Sequence, residues 1–372
     1  MRIAILTEVF LPKIDGVVTR VTRHLDQLAK MGHEVLIFAP GNPPAEYAGF
    51  EVVSIPSRDL KVYPEVKHGM MGPKTLRRLR EFDPDIVHAV NPIWTAGWST
   101  LVVARHYPVI ASFHTDVPEY CVKLGIPWVK PIAKWGVRTF HGRAAVNLVT
   151  SGPMMDKAAE YQIPNVKLWP KAVDTERFTP AARSDSMRER LGGGPLVLFV
   201  GRISAEKSVE RCIPIMEEVR ARIPDARIAF VGEGPQYQAL RKAAPDWATF
   251  TGYLSGAELA AAYASGDVLL FPSTTETLGF AALESFASGV PVVAAHAGGL
   301  PFVIDDGKTG ILVDPEAPDE AWADQIVQLL QDDALHDHLA SAARAEAERW
   351  TWRASSEQVL AYYDEVIRSA TR

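Results

Sequence analysis

Short apolar runs alternate with amphipathic stretches in two successive series along these 372 residues, and a turn-rich break separates the series. In the first, residues 2–6, 34–38, 50–55, 85–89, 109–113 and 145–149 read as strands, with helical periodicity at 18–30 and 74–81. Apolar runs of this length, bounded by turn residues and interleaved with helices, suit strands of a parallel sheet covered on both faces. The pattern restarts after the segment from Trp169-Pro-Lys-Ala-Val-Asp174 to Gly192-Gly-Gly-Pro195, with strands at 196–200, 227–231, 249–251, 268–271, 291–294 and 311–313. The expectation is an α/β chain of two doubly wound, Rossmann-like domains. The boundaries are 1–175 and 176–352, and a last helix at about 353–372 follows the interruption at Trp350-Thr-Trp352.

Ligands of such sheets lie beyond the strand C-termini, which gives weight to the loops carrying Asp15-Gly16, Asn91-Pro92 and His114-Thr115-Asp116. His114 directly follows an apolar strand and is expected to face a ligand. In the second series, Ser273-Thr-Thr-Glu-Thr-Leu-Gly-Phe-Ala-Ala-Leu-Glu284 follows the run Val268-Leu-Leu-Phe271. A strand entering a small-residue loop and then a helix offers backbone N–H groups to a phosphate. With a helix starting near Leu278, Glu276 lies in the loop and Glu284 about two turns along, able to accept from a ribose. Phe199-Val-Gly-Arg-Ile-Ser-Ala-Glu-Lys207 is a second strand end, and Arg202 and Lys207 are cations suited to a diphosphate.

Other signals are weaker. Gly232-Glu-Gly234 follows a strand, but Pro235 and Tyr237 break the dinucleotide fingerprint. Gly307-Lys308-Thr309 lacks the earlier glycine of a phosphate loop and reads as a turn. Asp83-Pro84-Asp85 imitates a metal-holding D-x-D, yet stands before a strand, where capping is expected. Cys121 and Cys212 read as packed thiols, without metal-ligand spacing.

Net charge is −6, divided unevenly: residues 1–170 hold 20 Lys+Arg against 15 Asp+Glu, and the remainder 19 against 30. From Cys121 to Met155 no acidic residue occurs, while Lys123, Lys130, Lys134, Arg138 and Arg143 stand among Trp128, Trp135 and Phe140. Such a stretch can rest on an anionic membrane; it equally reads as a solvated basic helix face above core aromatics. Nucleic acid is not an expected partner of an acidic chain without a recognised motif. The absence of a long apolar span and of a signal-peptide core gives a cytoplasmic, peripherally membrane-associated expectation.

Together these segments resemble the retaining family 4 glycosyltransferases of GT-B fold, in which two such domains face each other across a cleft. The resemblance covers nearly the whole chain and is strongest to sulfoquinovosyl-diacylglycerol synthase-like and related glycolipid glycosyltransferases. It is carried by Phe82-Asp-Pro-Asp-Ile-Val-His88, Ser112-Phe-His-Thr-Asp116, Trp169-Pro-Lys-Ala-Val-Asp174, Val200-Gly-Arg-Ile-Ser-Ala-Glu-Lys207, Ala262-Tyr-Ala-Ser-Gly-Asp267 and Glu276-Thr-Leu-Gly-Phe280. It implies that Arg202 and Lys207 bind the diphosphate, Glu284 the ribose and Glu276 the sugar hydroxyls. Leu278, Gly279 and Phe280 would lend backbone N–H groups, Tyr253 and Leu254 would hold the nucleobase, and Gly16 and Gly232 would stand near the donor. His114 would contact the sugar from the first, acceptor-binding domain, while Lys123, Trp128, Lys130, Lys134, Trp135 and Arg138 form the acceptor or membrane side.

The reaction so implied moves a sugar, with retention and without a metal or other cofactor, from a nucleotide-diphosphate sugar to a lipid such as diacylglycerol. A UDP-sugar is the expected donor. GDP-mannose-dependent mannosyltransfer shares nearly all these motifs, and an epimerase on the same fold is a further alternative.

Overall fold

Most strands form where the apolar runs stand, and the helices between them let successive strands of the two large sheets run parallel. The computed structural model describes residues 1–13, 15–60, 63–123 and 125–370, with side chains except those of 59, 60, 63–66 and 123. Two units result: Met1–Pro170 with Trp352–Arg372, and Lys171–Thr351. The junctions therefore fall at 170/171 and 351/352, beside the expected 175/176 and 352/353.

The first unit contains β1 (Arg2–Thr7), β2 (Glu34–Pro40), β3 (Glu46–Tyr47), β4 (Phe50–Ile55), β5 (Ser57–Leu60), β6 (Tyr63–Gly69), β7 (Ile86–Val90), β8 (Val109–Phe113), β9 (Val146–Val149) and β10 (Val166–Leu168). Its large sheet has the order β10-β9-β8-β7-β1-β2-β4-β3, all parallel except β3, while β5 and β6 form a separate antiparallel hairpin. Every residue of β7, β8 and β9 is buried, and their mostly apolar sequences are each interrupted by one buried, hydrogen-bonded polar residue: His88, Ser112 and Asn147. Helix Gly16–Lys30 starts at Asp15, whose Oδ1 accepts from Val18 N, and it buries Val18, Val21, Leu25 and Leu28 at helical spacing. The C-terminal helix Trp352–Ala370 packs against it and against the sheet, contributing Val359, Tyr363 and Val366 to the core.

The second unit has β11 (Leu196–Val200), β12 (Arg227–Val231), β13 (Ala248–Gly252), β14 (Val268–Phe271), β15 (Val292–Ala295) and β16 (Ile311–Val313). They pair in parallel in the order β13-β12-β11-β14-β15-β16. The core is one cluster around Phe199, Phe230, Tyr263, Phe286 and Trp322, all fully buried.

Candidate active site

In the second unit the order of the strands, counted from its first, is 3-2-1-4-5-6. The sheet grows one way from β11 and then the other from β14, so the loops leaving these neighbours diverge and open a crevice at their C-terminal ends. Those loops carry Arg202 with Lys207, and Glu276 with Gly279. They are tied together: Lys207 Nζ meets Glu276 Oε1 at 2.5 Å with both side chains largely buried, and Thr275 Oγ1 donates to the Glu206 carbonyl at 2.9 Å. From the β15 side, Gly299 N donates to the Glu276 carbonyl at 2.7 Å. That approach requires glycine, since a Cβ at Gly299 would stand 2.3 Å from the Thr277 carbonyl oxygen and one at Gly298, whose φ is +57°, 2.6 Å from that of Glu276.

Helix Phe280–Ala287 begins after Gly279, which has φ +83° and supplies no side-chain cap. The left-handed glycine delays the helix by two residues from the start expected near Leu278, so Glu284 lies one turn in rather than two. Glu284 Oε2 accepts from the hydroxyl of the fully buried Tyr263 at 2.9 Å. Gly232 fits no dinucleotide fingerprint: its φ is +139°, and a Cβ there would lie 2.0 Å from the Gly201 carbonyl, so it lets the loops after β11 and β12 touch. Tyr253 (55 % exposed) and the buried Leu254 follow β13 at the same edge of the sheet.

The first unit has its own crevice between β1 and β7. There the buried Glu8 accepts from the backbone N–H groups of Ile93, Trp94, Thr95 and Ala96, filling the N-terminus of helix Thr95–Val103 with a protein carboxylate. Burial pushes its pKa up to about 7 against the lowering effect of these four donors. Asn91, at φ +50°, turns its Oδ1 to the backbone N–H groups of His114 and Thr115 and so shapes the loop after β8. His114 is buried, with its ring 5.6 Å from that of Trp169 and its Nε2 2.9 Å from Ser112 Oγ. The Arg20 guanidinium lies 5.2 Å from the centre of the Trp169 ring and donates to the Pro170 carbonyl. Burial, with the Arg20 charge behind it, lowers the His114 pKa to about 3 and keeps the ring neutral.

Comparison with known proteins gives this geometry a context. The family model "Glycosyltransferase Family 4" matches residues 14–177, and "Glycosyl transferases group 1" matches residues 194–332. The sulfoquinovosyl transferase SQD2 of Arabidopsis thaliana is 37% identical over 93% of this chain and 70% of its own length. A GDP-mannose-dependent alpha-mannosyltransferase of Mycolicibacterium smegmatis is 36% identical over 99% and 98%. The chain belongs to the family 4 glycosyltransferases. Sucrose-phosphate synthase of Thermosynechococcus elongatus superimposes with a TM-score of 0.79 at 21% identity, covering 99% of each chain, and carries the same GT-B fold.

Within this glycosyltransferase, Lys207 and Glu276 are in direct contact, and Arg202 and Gly279 stand on the same two loops. His114 and Gly16 belong to the first unit, where Gly16 opens the helix after Asp15. Asp83 and Asp85 hold Arg2 at the opposite end of the sheet: Asp85 Oδ2 accepts from its backbone N–H at 2.6 Å and Asp83 Oδ2 from its guanidinium at 3.0 Å. Lys308 and Thr309 close a turn with Asp305. Lys171 lies over the ring of Trp350 at 3.7 Å, and burial lowers its pKa to about 8.

The basic stretch is less uncompensated than its sequence. Lys130 pairs with Glu119 and Lys134 with Glu160, each at 2.6 Å, because neighbouring helices bring in carboxylates from outside the acid-free segment. Arg138 is exposed, and the Lys123 side chain lies outside the described residues. Beside Arg138 the folded stretch exposes large apolar side chains: Trp128 (73 %), Ile132 (59 %) and Trp135 (58 %). Glu8, Asn91, Tyr263 and Gly298-Gly299 carry no local sequence signal of their roles, since each acts on a partner distant along the chain.

Proposed function

We propose that this glycosyltransferase moves a sugar from a nucleotide-diphosphate sugar to a lipid hydroxyl with retention of anomeric configuration. The observation that carries the donor reading is the Lys207–Glu276 contact at the crevice of the second unit. A cation and a carboxylate so placed suit a diphosphate and the sugar hydroxyls attached to it, with Arg202 and the N-terminus of helix Phe280–Ala287 adding positive potential. Glu284, oriented by Tyr263, accepts from the ribose, and Tyr253 with Leu254 holds the base. Gly232 and Leu278 shape the loops around the donor.

In the reaction the bond from the anomeric carbon to the diphosphate breaks, and the acceptor oxygen bonds to that carbon on the same face. The acceptor proton passes to the departing diphosphate. Arg202 and Lys207 stabilise the charge that develops there, and His114 contacts the sugar. This chemistry needs neither a protein nucleophile nor a metal.

A UDP-sugar is the donor of the first reading. GDP-mannose is the second, supported by the full-length likeness to the GDP-mannose-dependent relative, whereas SQD2 extends beyond the match. Thermal shift with a panel of UDP- and GDP-sugars, followed by product analysis with diacylglycerol and soluble acceptors in the presence of EDTA, tests both. The expected outcome is stabilisation by one nucleotide class and an α-linked glycolipid formed despite chelation. Donor conversion without acceptor would indicate an epimerase, and activity restored only by magnesium or manganese would overturn the metal-free site.

For the acceptor side, we infer docking on a membrane through Trp128, Ile132 and Trp135, with Arg138 and the basic residues around them favouring an anionic surface.

A further inference from the structure

A continuous line of hydrogen bonds runs through the interior of the first unit and ends on His114. Ser356 Oγ lies 2.9 Å from His24 Nδ1, and His24 Nε2 lies 3.3 Å from the Tyr363 hydroxyl. The same hydroxyl is 2.7 Å from His88 Nδ1, His88 Nε2 is 3.0 Å from Ser112 Oγ, and Ser112 Oγ is 2.9 Å from His114 Nε2. All six residues are buried, and they come from the two packed helices Gly16–Lys30 and Trp352–Ala370, from β7 and β8, and from the loop directly after β8. His114 Nδ1 has no protein partner among the described residues.

A neutral imidazole has one N–H and one lone pair on its two nitrogens, and a hydroxyl has one proton to give. Among the described residues the Tyr363 and Ser112 hydroxyls have no acceptor outside the line, so each member passes its polarity to the next and two arrangements satisfy the whole line. Burial holds His24 and His114 at about 3 and His88 well below its ordinary value, so all three rings are neutral near pH 7. The shortest link chooses between the two arrangements, because a hydroxyl donor makes shorter bonds than an N–H donor. From Ser356 inward the links measure 2.9, 3.3, 2.7, 3.0 and 2.9 Å, alternating short and long. The shortest link, Tyr363 to His88 at 2.7 Å, is the one in which the hydroxyl donates, and that polarity carried along the line has Ser356 donate to His24 and Ser112 to His114. Proton positions assigned in this way put the His114 proton on Nδ1.

We propose that Tyr363, His88 and Ser112 are positioning residues that fix His114 as its Nδ1–H tautomer, so that His114 donates a hydrogen bond to a substrate oxygen rather than accepting one. The C-terminal helix thereby sets the chemical character of a residue that it does not touch. The consequence for turnover rests on the reading of His114 as a substrate contact.

The test combines long-range 15N–1H spectra of protein labelled at histidine with a double-mutant cycle. His114→Asn identifies the His114 signals. The expected wild-type spectrum has the proton on Nδ1 and a bare Nε2, and Tyr363→Phe, which removes only the hydroxyl, shifts His114 towards Nε2–H. Tyr363→Phe should slow turnover about three- to tenfold in the wild type and less than about twofold in a His114→Ala background. A proton on Nε2 in the wild type overturns the relay and leaves the contact reading intact. Equal slowing in both backgrounds makes Tyr363 merely structural and also overturns it. Full turnover in His114→Ala removes the contact reading and the catalytic consequence with it, whatever the spectra show.

Discussion

Lys207 and Glu276 hold each other at 2.5 Å on loops that leave adjacent strands, so the pair is set before a ligand arrives. A second residue-scale feature is the set of buried neutral histidines in the first unit. Burial lowers His24 and His114 to about 3 and His141 to about 4, and it lowers His88 well below its ordinary value. Unfolded, each titrates near its ordinary 6.5, so below that pH the unfolded chain binds protons that the folded chain refuses. Their contribution is present above about 6.5 and is lost as pH falls towards 3–4, at about 1.4 kcal/mol per histidine and pH unit. Glu8, raised to about 7, acts in the opposite sense between about 4.5 and 7, because there the folded state holds the extra proton. Four histidines outweigh one carboxyl, and stability of the first unit is expected to fall by about 2–4 kcal/mol from pH 6 to pH 5. Urea unfolding at the two pH values measures it, and an unchanged or higher midpoint at pH 5 would contradict this balance.

Among elements, most strands were legible in the sequence as short runs of apolar or alternating residues bounded by turn residues. Residues 50–55, 109–113, 196–200, 227–231, 268–271 and 311–313 fall where the runs place them. The hairpin of β5 and β6 was not legible, since Ser57-Arg-Asp-Leu60 has neither an apolar run nor a clean alternation. Loop residues were visible only when their chemistry was: Lys207 and Glu276 announce themselves as charges at strand ends, whereas Gly298 and Gly299 act by lacking a Cβ against another loop. Gly299→Ala should cost about 1–3 kcal/mol and lower donor affinity together with stability, because the Thr277 carbonyl must move. Wild-type melting temperature and donor binding in that variant would show that the loop contact is dispensable. For the helix Lys130–His141, with two of its lysines already paired to glutamates, Trp128→Ala with Trp135→Ala should reduce vesicle co-sedimentation more than charge reversal at Lys130 and Lys134. The opposite ranking, with binding lost at high salt, would assign the docking to charge instead.

At the scale of the whole molecule, two Rossmann-like units divide the chain, and the second carries the 3-2-1-4-5-6 order that puts its crevice between β11 and β14. No helix among the described residues is long and apolar enough to cross a membrane. The family is shown by relatives over nearly the full chain. The central claim is that the crevice of the second unit is the donor site and that Arg202 and Lys207 stabilise the leaving diphosphate. Steady-state release of nucleoside diphosphate by Arg202→Ala and Lys207→Ala, with the donor identified by the panel, tests it most directly. Loss of one such contact should cost about 2–4 kcal/mol of transition-state stabilisation, a drop of tens-fold or more in kcat/KM for each variant. Near-normal kcat/KM in both variants, with the fold intact, would contradict the account.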